Sequence, residues 1–141
     1  MNILILCTGN SCRSQMAHGF LKTFDSNLKV SSAGTNSAGY VNPMAIEVMA
    51  EIDIDISDHT SDSVDKYIDQ AWDYVITVCG GANESCPAFS GEVENRLHIG
   101  FDDPFEAKGS PEFVKGEYLR IRDEIELAFR KFYENTIKTQ A

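Results

Sequence analysis

Residues 3–6, Ile-Leu-Ile-Leu, are apolar at every position. Such a strand needs cover on both faces, the condition of a parallel sheet between helical layers. The run breaks into the loop CTGNSCRS at residues 7 to 14, where Ser14 can start a helix. Met16, Ala17, Phe20, Leu21 and Phe24 then recur at helical spacing. LKVSSAG (28–34) returns as a second strand. Strand, loop, helix and strand together have the size of a βαβ unit, about 30 residues.

The remaining pattern repeats the alternation. Asn42 and Pro43 read as a helix cap and first turn, followed by Ala45, Val48, Met49 and Ile52. Val64, Tyr67, Ile68 and Ala71 predict a third helix, WDYVITV (72–78) a central strand, and LHIG (97–100) a short fourth strand. Ser110, Pro111 and Glu112 open a long C-terminal helix whose apolar face is Tyr118, Ile121, Ile125, Ala128 and Phe132. Strands alternating with helices predict a four-stranded parallel sheet covered on both faces. Ligands of such sheets bind beyond the carboxyl ends of the strands. The loop at 7–14, Cys79 and the DDP at 102–104 all follow strands at that edge.

The 141 residues suit one domain, 1–141. With 22 acidic against 12 basic side chains the net charge is −10, which argues against nucleic-acid or anionic-membrane partners. No apolar stretch approaches the ~20 residues of a membrane span, and NILIL is too short for a signal peptide. Four cysteines are too sparse for a disulfide scaffold. The expectation is a cytoplasmic monomer with free thiols.

A cradle for a tetrahedral oxyanion needs several donors around one point. Backbone N–H groups from Thr8, Gly9, Asn10, Ser11, Cys12 and Arg13 supply them if the loop curls into a nest. The Asn10 side chain can hold the curl. The planar fork of Arg13 can reach two oxygens at once. Cys7 is then the nucleophile, with a pKa expected to be lowered by the helix N-terminus and Arg13, and Ser14 can hydrogen-bond its thiolate. The bland alternative for Cys7 is a small buried hydrophobe; Cys12 reads more readily as a packing residue. Asp103, fixed by Pro104, can protonate a leaving oxygen, since a neighbouring anion favours the protonated carboxyl. Asp102 beside it leaves the choice of carboxylate open.

CTGNSCRSQMA and GFDDP, with the cysteine pair of VCGGANESCP between them, resemble the thioredoxin-coupled arsenate reductases, whose fold is related to the low-molecular-weight protein tyrosine phosphatases. VNPMAIEVM, DIDISDHTSD and RIRDEIELA extend the resemblance over nearly the whole chain. It implies a flavodoxin-like sheet and reduction of arsenate to arsenite, with no cofactor. It also implies Cys7 as nucleophile, Arg13 as oxyanion arginine, Ser14 as loop serine, Cys79 and Cys86 as relay thiols, Asp103 as acid, and thioredoxin or a similar dithiol as donor. Some members carry an acid at the position of His18, beside a monovalent-cation site that would involve Asn10, Ser32 and Asp62; histidine there argues against such a site.

Chemistry separates the two enzyme readings. A phosphatase needs Cys7, Arg13 and an acid. A reductase must move two electrons, and two further cysteines at the same sheet edge serve that purpose. Against the phosphatase reading, Gln15 replaces the proline that often follows the loop serine, and Phe105 stands where a phenol commonly lines the cleft. A cysteine-based zinc or arsenite-binding module is the non-enzyme alternative, although Cys-x4-Cys and Cys-x6-Cys are poor zinc spacings. His18, His59 and His98 share no metal-ligand spacing and read as structural or surface residues.

Overall fold

The structure, a computed structural model, describes residues 1–140, with side chains through 139. Strands β1 (Asn2–Cys7), β2 (Lys29–Gly34), β3 (Trp72–Thr77) and β4 (Val93–His98) form one parallel sheet in the order β2-β1-β3-β4. Helices α1 (Arg13–Phe24), α2 (Pro43–Ala50), α3 (Gly80–Ser85) and α4 (Pro111–Phe132) complete the flavodoxin-like sandwich. Ile3, Leu4, Ile5 and Leu6 are fully buried, as the unbroken apolar run of β1 requires.

α1, α2 and α4 pack on one another, while α3 packs against β1 and β3. α1 begins at Arg13, one residue before the expected start. Gly19 lets α1 approach the 54–56 segment: a Cβ there would lie 2.9 Å from Ile56 Cγ2. The Asn42 side chain accepts from Met44 N and Ala45 N with Pro43 in the first turn, and Ser110 accepts from Phe113 N at the head of α4. On α4 the buried step after Ile125 lands on Phe129 rather than Ala128. Truncating a fully buried phenylalanine to alanine costs about 3–5 kcal/mol.

Two expected elements are corrected. The third helix is reduced to a 3₁₀ turn, Val64–Lys66. Tertiary bonds take the carbonyls it would need: Tyr67 O accepts from the Trp72 indole, and Ile68 O from Ser90 N and Gly91 N. The fourth strand starts at Val93 and ends at His98 rather than spanning 97–100. It pairs with β3 alone, and its Glu94, Asn95 and Arg96 are exposed. An edge strand carrying charge lacks the apolar alternation that marks a strand in sequence, although those charges discourage edge-to-edge pairing.

Candidate active site

Cys7 closes β1 at 3% exposure. The carbonyls that follow are each taken from outside the loop or by the helix. Cys7 O accepts from Thr35 N, Thr8 O from Asn36 N, Gly9 O from Ala38 N, Ser11 O from Asn42 N and Cys12 O from Met16 N. Asn10 O accepts from Gln15 Nε2. In a trans peptide the next N–H points opposite to the carbonyl. The N–H groups of residues 8–13 therefore point away from these donors, an arrangement that can serve as an anion nest at the start of α1. Asn10 takes the left-handed conformation the curl needs, with φ of 50°. Its amide donates to Ser14 Oγ at 2.8 Å, and its Oδ1 accepts from Asp62 N at 3.0 Å.

A cavity of about 240 Å³ stands over the nest, lined by Cys7, Thr8, Gly9, Ser11, Cys12 and Arg13 from the loop and by Ala38, Tyr40, Asp103 and Phe105 from outside it. Asn10 and Ser14, both fully buried, brace the loop from behind instead of lining the cavity. Ser14 meets Asn10, and the hydrogen bonds to Cys7 come from Cys79 and the Thr8 backbone. Arg13 Nη1 donates to Phe101 O at 3.1 Å, and Nη2 lies 3.5 Å from Asp103 Oδ2. Asp103 Oδ1 accepts from Phe105 N, so the Pro104 turn aims this carboxylate at the arginine. Asp102 points away, 81% exposed, 3.6 Å from Arg120.

Cys79, two residues past the end of β3, sits behind Cys7 and Thr8 and does not line the cavity. Its sulfur lies 3.3 Å from Thr8 Oγ1, accepts from Ala82 N at 3.4 Å as the N-cap of α3, and is hydrogen-bonded with Cys7. That contact, then the Thr8 hydroxyl, the Ala82 N–H and Arg13, outweigh burial and lower the Cys79 pKa to about 4. The same contact, with burial, raises that of Cys7 despite Arg13. The contact thus opposes the lowering by Arg13 that the sequence led us to expect at Cys7, and it favours a single charge on the pair. Burial, with Asp103 adding to it and Arg13 opposing it, pushes the Cys12 thiol up to about 12, as for a packing residue. Cys86 is the half-buried C-cap of α3. Gly81 allows α3 to rest on the loop, since a Cβ there would lie 2.7 Å from Thr8 Oγ1.

Sequence reasoning missed the support behind the loop. Gln15 is fully buried and donates through Nε2 to Asn10 O and Thr60 O. Its Oε1 remains as the acceptor, so the His59 Nδ1 that meets it at 3.0 Å carries the proton. Ser61 Oγ also donates to Gly9 O. No spacing marks these partners, because Thr60 lies 45 residues from Gln15.

His18 stacks on His59 with ring centroids 4.3 Å apart, and its Nδ1 meets Ser32 Oγ at 3.1 Å. The Asp62 carboxylate takes the Thr60 hydroxyl at 2.7 Å and faces Lys66 at 3.8 Å. The oxygens a monovalent cation would use are thus engaged, and a neutral ring stands where an extra acid would help. These residues do not fit a resident cation. His98 Nδ1 meets Thr77 Oγ1 at 2.7 Å.

Burial, then the charges of His59 and Lys22, lowers the His18 pKa from 6.5 to about 3. Below its ordinary value the unfolded chain protonates this ring and the folded chain does not. Its contribution to stability is therefore full above pH 6.5 and declines as pH falls toward 3, by up to about 1.4 kcal/mol per unit. His18→Gln will flatten that part of the curve of melting temperature against pH. An unchanged slope would assign the loss to other groups.

The model of the low molecular weight phosphotyrosine protein phosphatase family matches residues 2–141. An arsenate reductase of Halalkalibacterium halodurans is 47% identical over 133 residues, 94% of each chain. One of Staphylococcus aureus is 48% identical over 131 residues, covering 92% of this chain and 94% of that one. A solved arsenate reductase in a phosphate-binding state superposes with a TM-score of 0.70 at 34% identity, over 92% of this chain and 97% of the other.

Proposed function

The chain belongs to the low molecular weight phosphotyrosine protein phosphatase family and, within it, to the arsenate reductases, and we propose that it reduces arsenate to arsenite through a relay of three thiols reset by thioredoxin or a similar dithiol protein. The observation that carries this reading is Cys79, held against Cys7 and 3.3 Å from Thr8 Oγ1 behind the oxyanion loop. Ester hydrolysis has no use for a second thiol against the nucleophile, whereas reduction requires one. No helix among the described residues is long and apolar enough to cross a membrane, and the reading is of a monomer acting in the cytoplasm.

Arsenate enters the nest with its oxygens on the loop N–H groups and Arg13. The proton of Cys7 moves to Cys79, which leaves the charge on the sulfur facing arsenic. Cys7 attacks arsenic, and an oxygen departs as water with a proton from Asp103. Cys79 gives its proton to the Asp103 carboxylate through the water just released, with Thr8 and the Ala82 N–H stabilising the anion, and attacks the Cys7 sulfur. The S–As bond breaks, and its electron pair stays on arsenic. As(V) becomes As(III), Cys7 and Cys79 form a disulfide, and the one proton of the thiol pair replaces the proton that Asp103 spent on the departing water. Cys86 then attacks Cys79, which frees Cys7 and carries the disulfide to the rim.

The relay demands movement. α3 separates Cys79 from Cys86 by seven residues, ~10 Å along a helix. A disulfide spans about 4.4–6.8 Å between Cα atoms. Gly80 and Gly81 weaken the helix by roughly 1 kcal/mol each relative to alanine. Hydrogen exchange on reduced and oxidised protein will show amides 79–89 losing protection on oxidation while the sheet keeps its own. Equal protection in both states would remove the step.

The overall reading is tested by following arsenite formation with thioredoxin and its reductase beside hydrolysis of an aryl phosphate. Phosphate resembles arsenate in shape and charge, so weak hydrolysis is expected next to strong reduction. Hydrolysis without arsenite would leave a phosphatase.

A further inference from the structure

The cavity is larger and less polar than arsenate needs. A five-atom oxyanion has the bulk of roughly two to three waters, at about 30 Å³ each, within a space of about 240 Å³. The remainder is walled by Tyr40 and Phe105, which are 53% and 67% exposed. An anion made of oxygen has nothing to offer either ring.

The backbone that carries each ring is tied to the nest. Phe105 follows Pro104 in a 3₁₀ turn, and its N–H is held by Asp103. Tyr40 lies in the 35–42 segment, whose Asn36, Ala38 and Asn42 N–H groups are bonded to the loop carbonyls. Two aromatic side chains thus rise from anchored backbone beside a cationic, thiol-floored cradle, in a protein that is otherwise acidic.

Resting on the reductase reading, we propose that the site also reduces arylarsonates, compounds in which an aromatic ring replaces one arsenate oxygen. The ring lies against Tyr40 and Phe105 while the remaining oxygens occupy the nest. Cys7 attacks arsenic, and one oxygen leaves as water with the proton of Asp103. Cys79 attacks the Cys7 sulfur, and the S–As electron pair stays on arsenic. The products are a trivalent aryl-As(OH)₂, a Cys7–Cys79 disulfide and water; the one proton of the thiol pair returns to Asp103, and the product oxygens complete their protonation from solvent. The arsenic–carbon bond is untouched, and the Cys86 step and dithiol donor reset the enzyme as for arsenate. The ring compensates for the oxygen contact that the arsonate lacks.

The test mixes reduced protein with arsenate, phenylarsonate and methylarsonate and counts disulfide formed and trivalent product in one turnover. Phenylarsonate will give one disulfide per chain, at least about tenfold faster than methylarsonate, the discrimination an apolar wall can supply. Phe105→Ala and Tyr40→Ala will each lower kcat/KM for phenylarsonate relative to arsenate by about tenfold or more, and Phe105→Tyr will restore the ratio. Arsenate reduction without any disulfide from phenylarsonate overturns the proposal while leaving the reductase reading intact, and so does an unchanged ratio in both alanine variants. Failure with arsenate itself strikes the reductase reading. If phenyl phosphate hydrolysis responds to the two substitutions while phenylarsonate is inert, the aromatic walls serve ester hydrolysis and the proposal falls.

Discussion

Cys79→Ser will abolish arsenate reduction, by at least about 10³-fold, a loss in the range seen when a nucleophile is removed, and will at the same time make the protein a better phosphatase. The first half follows from electron count, because serine cannot be oxidised and the Cys7–arsenate adduct has no thiol to release it. The second half follows from the shared proton. The hydrogen bond to Cys79 is the largest cause raising the Cys7 pKa, ahead of burial, while Arg13 and the Thr8 backbone lower it. Without the thiolate the Cys7 value comes down, so the acidic limb of the pH profile for phosphate-ester hydrolysis moves to lower pH. Steady-state assays of arsenite and of phenol release, run across pH, check both halves. Retained arsenite turnover would end the relay; an unmoved acidic limb would show that Cys79 does not set the charge on Cys7.

Asp103→Asn will slow formation of the Cys7–arsenate adduct by about 10²–10⁴-fold, the usual contribution of a positioned general acid, and Asp102→Asn will leave it within a few-fold of the parent. Asp103 lines the cavity at 3.5 Å from Arg13, whereas Asp102 faces solvent and Arg120. Rapid mixing with arsenate under single-turnover conditions measures the step directly. A larger effect at Asp102 would move the acid to the other carboxylate.

The loop and its flanking strand and helix were legible because their chemistry is local: an unbroken apolar run, a short polar stretch and a helical period lie side by side. Cys79 and Asp103 were legible as neighbours of Cys7 because parallel strands deliver their ends to one edge. The charge distribution within the thiol pair was not, since it depends on a contact between residues 7 and 79 that no spacing encodes. Gln15 was hidden for a related reason. The sequence marked it only as standing where a proline often follows the loop serine, and only the fold brings Thr60 and His59 to it. The lost helix at 64–71 failed where tertiary partners took its carbonyls, and β4 failed because an edge strand need not alternate.

In the proposed relay, the sulfur that caps α3 is also a reacting sulfur. As a thiolate, Cys79 accepts the Ala82 N–H; once in a disulfide it carries no charge and is a poor acceptor, and losing an N-cap costs a helix about 1 kcal/mol. A six-residue helix has little in reserve, for isolated helices below ~12–15 residues are marginal. If the relay runs as proposed, the shape of this segment reports whether the enzyme has turned over. A reductant that recognises the unwound form binds the spent enzyme and releases it once restored, so an excess of already reduced protein does not compete for the reductant and product inhibition at that step is avoided.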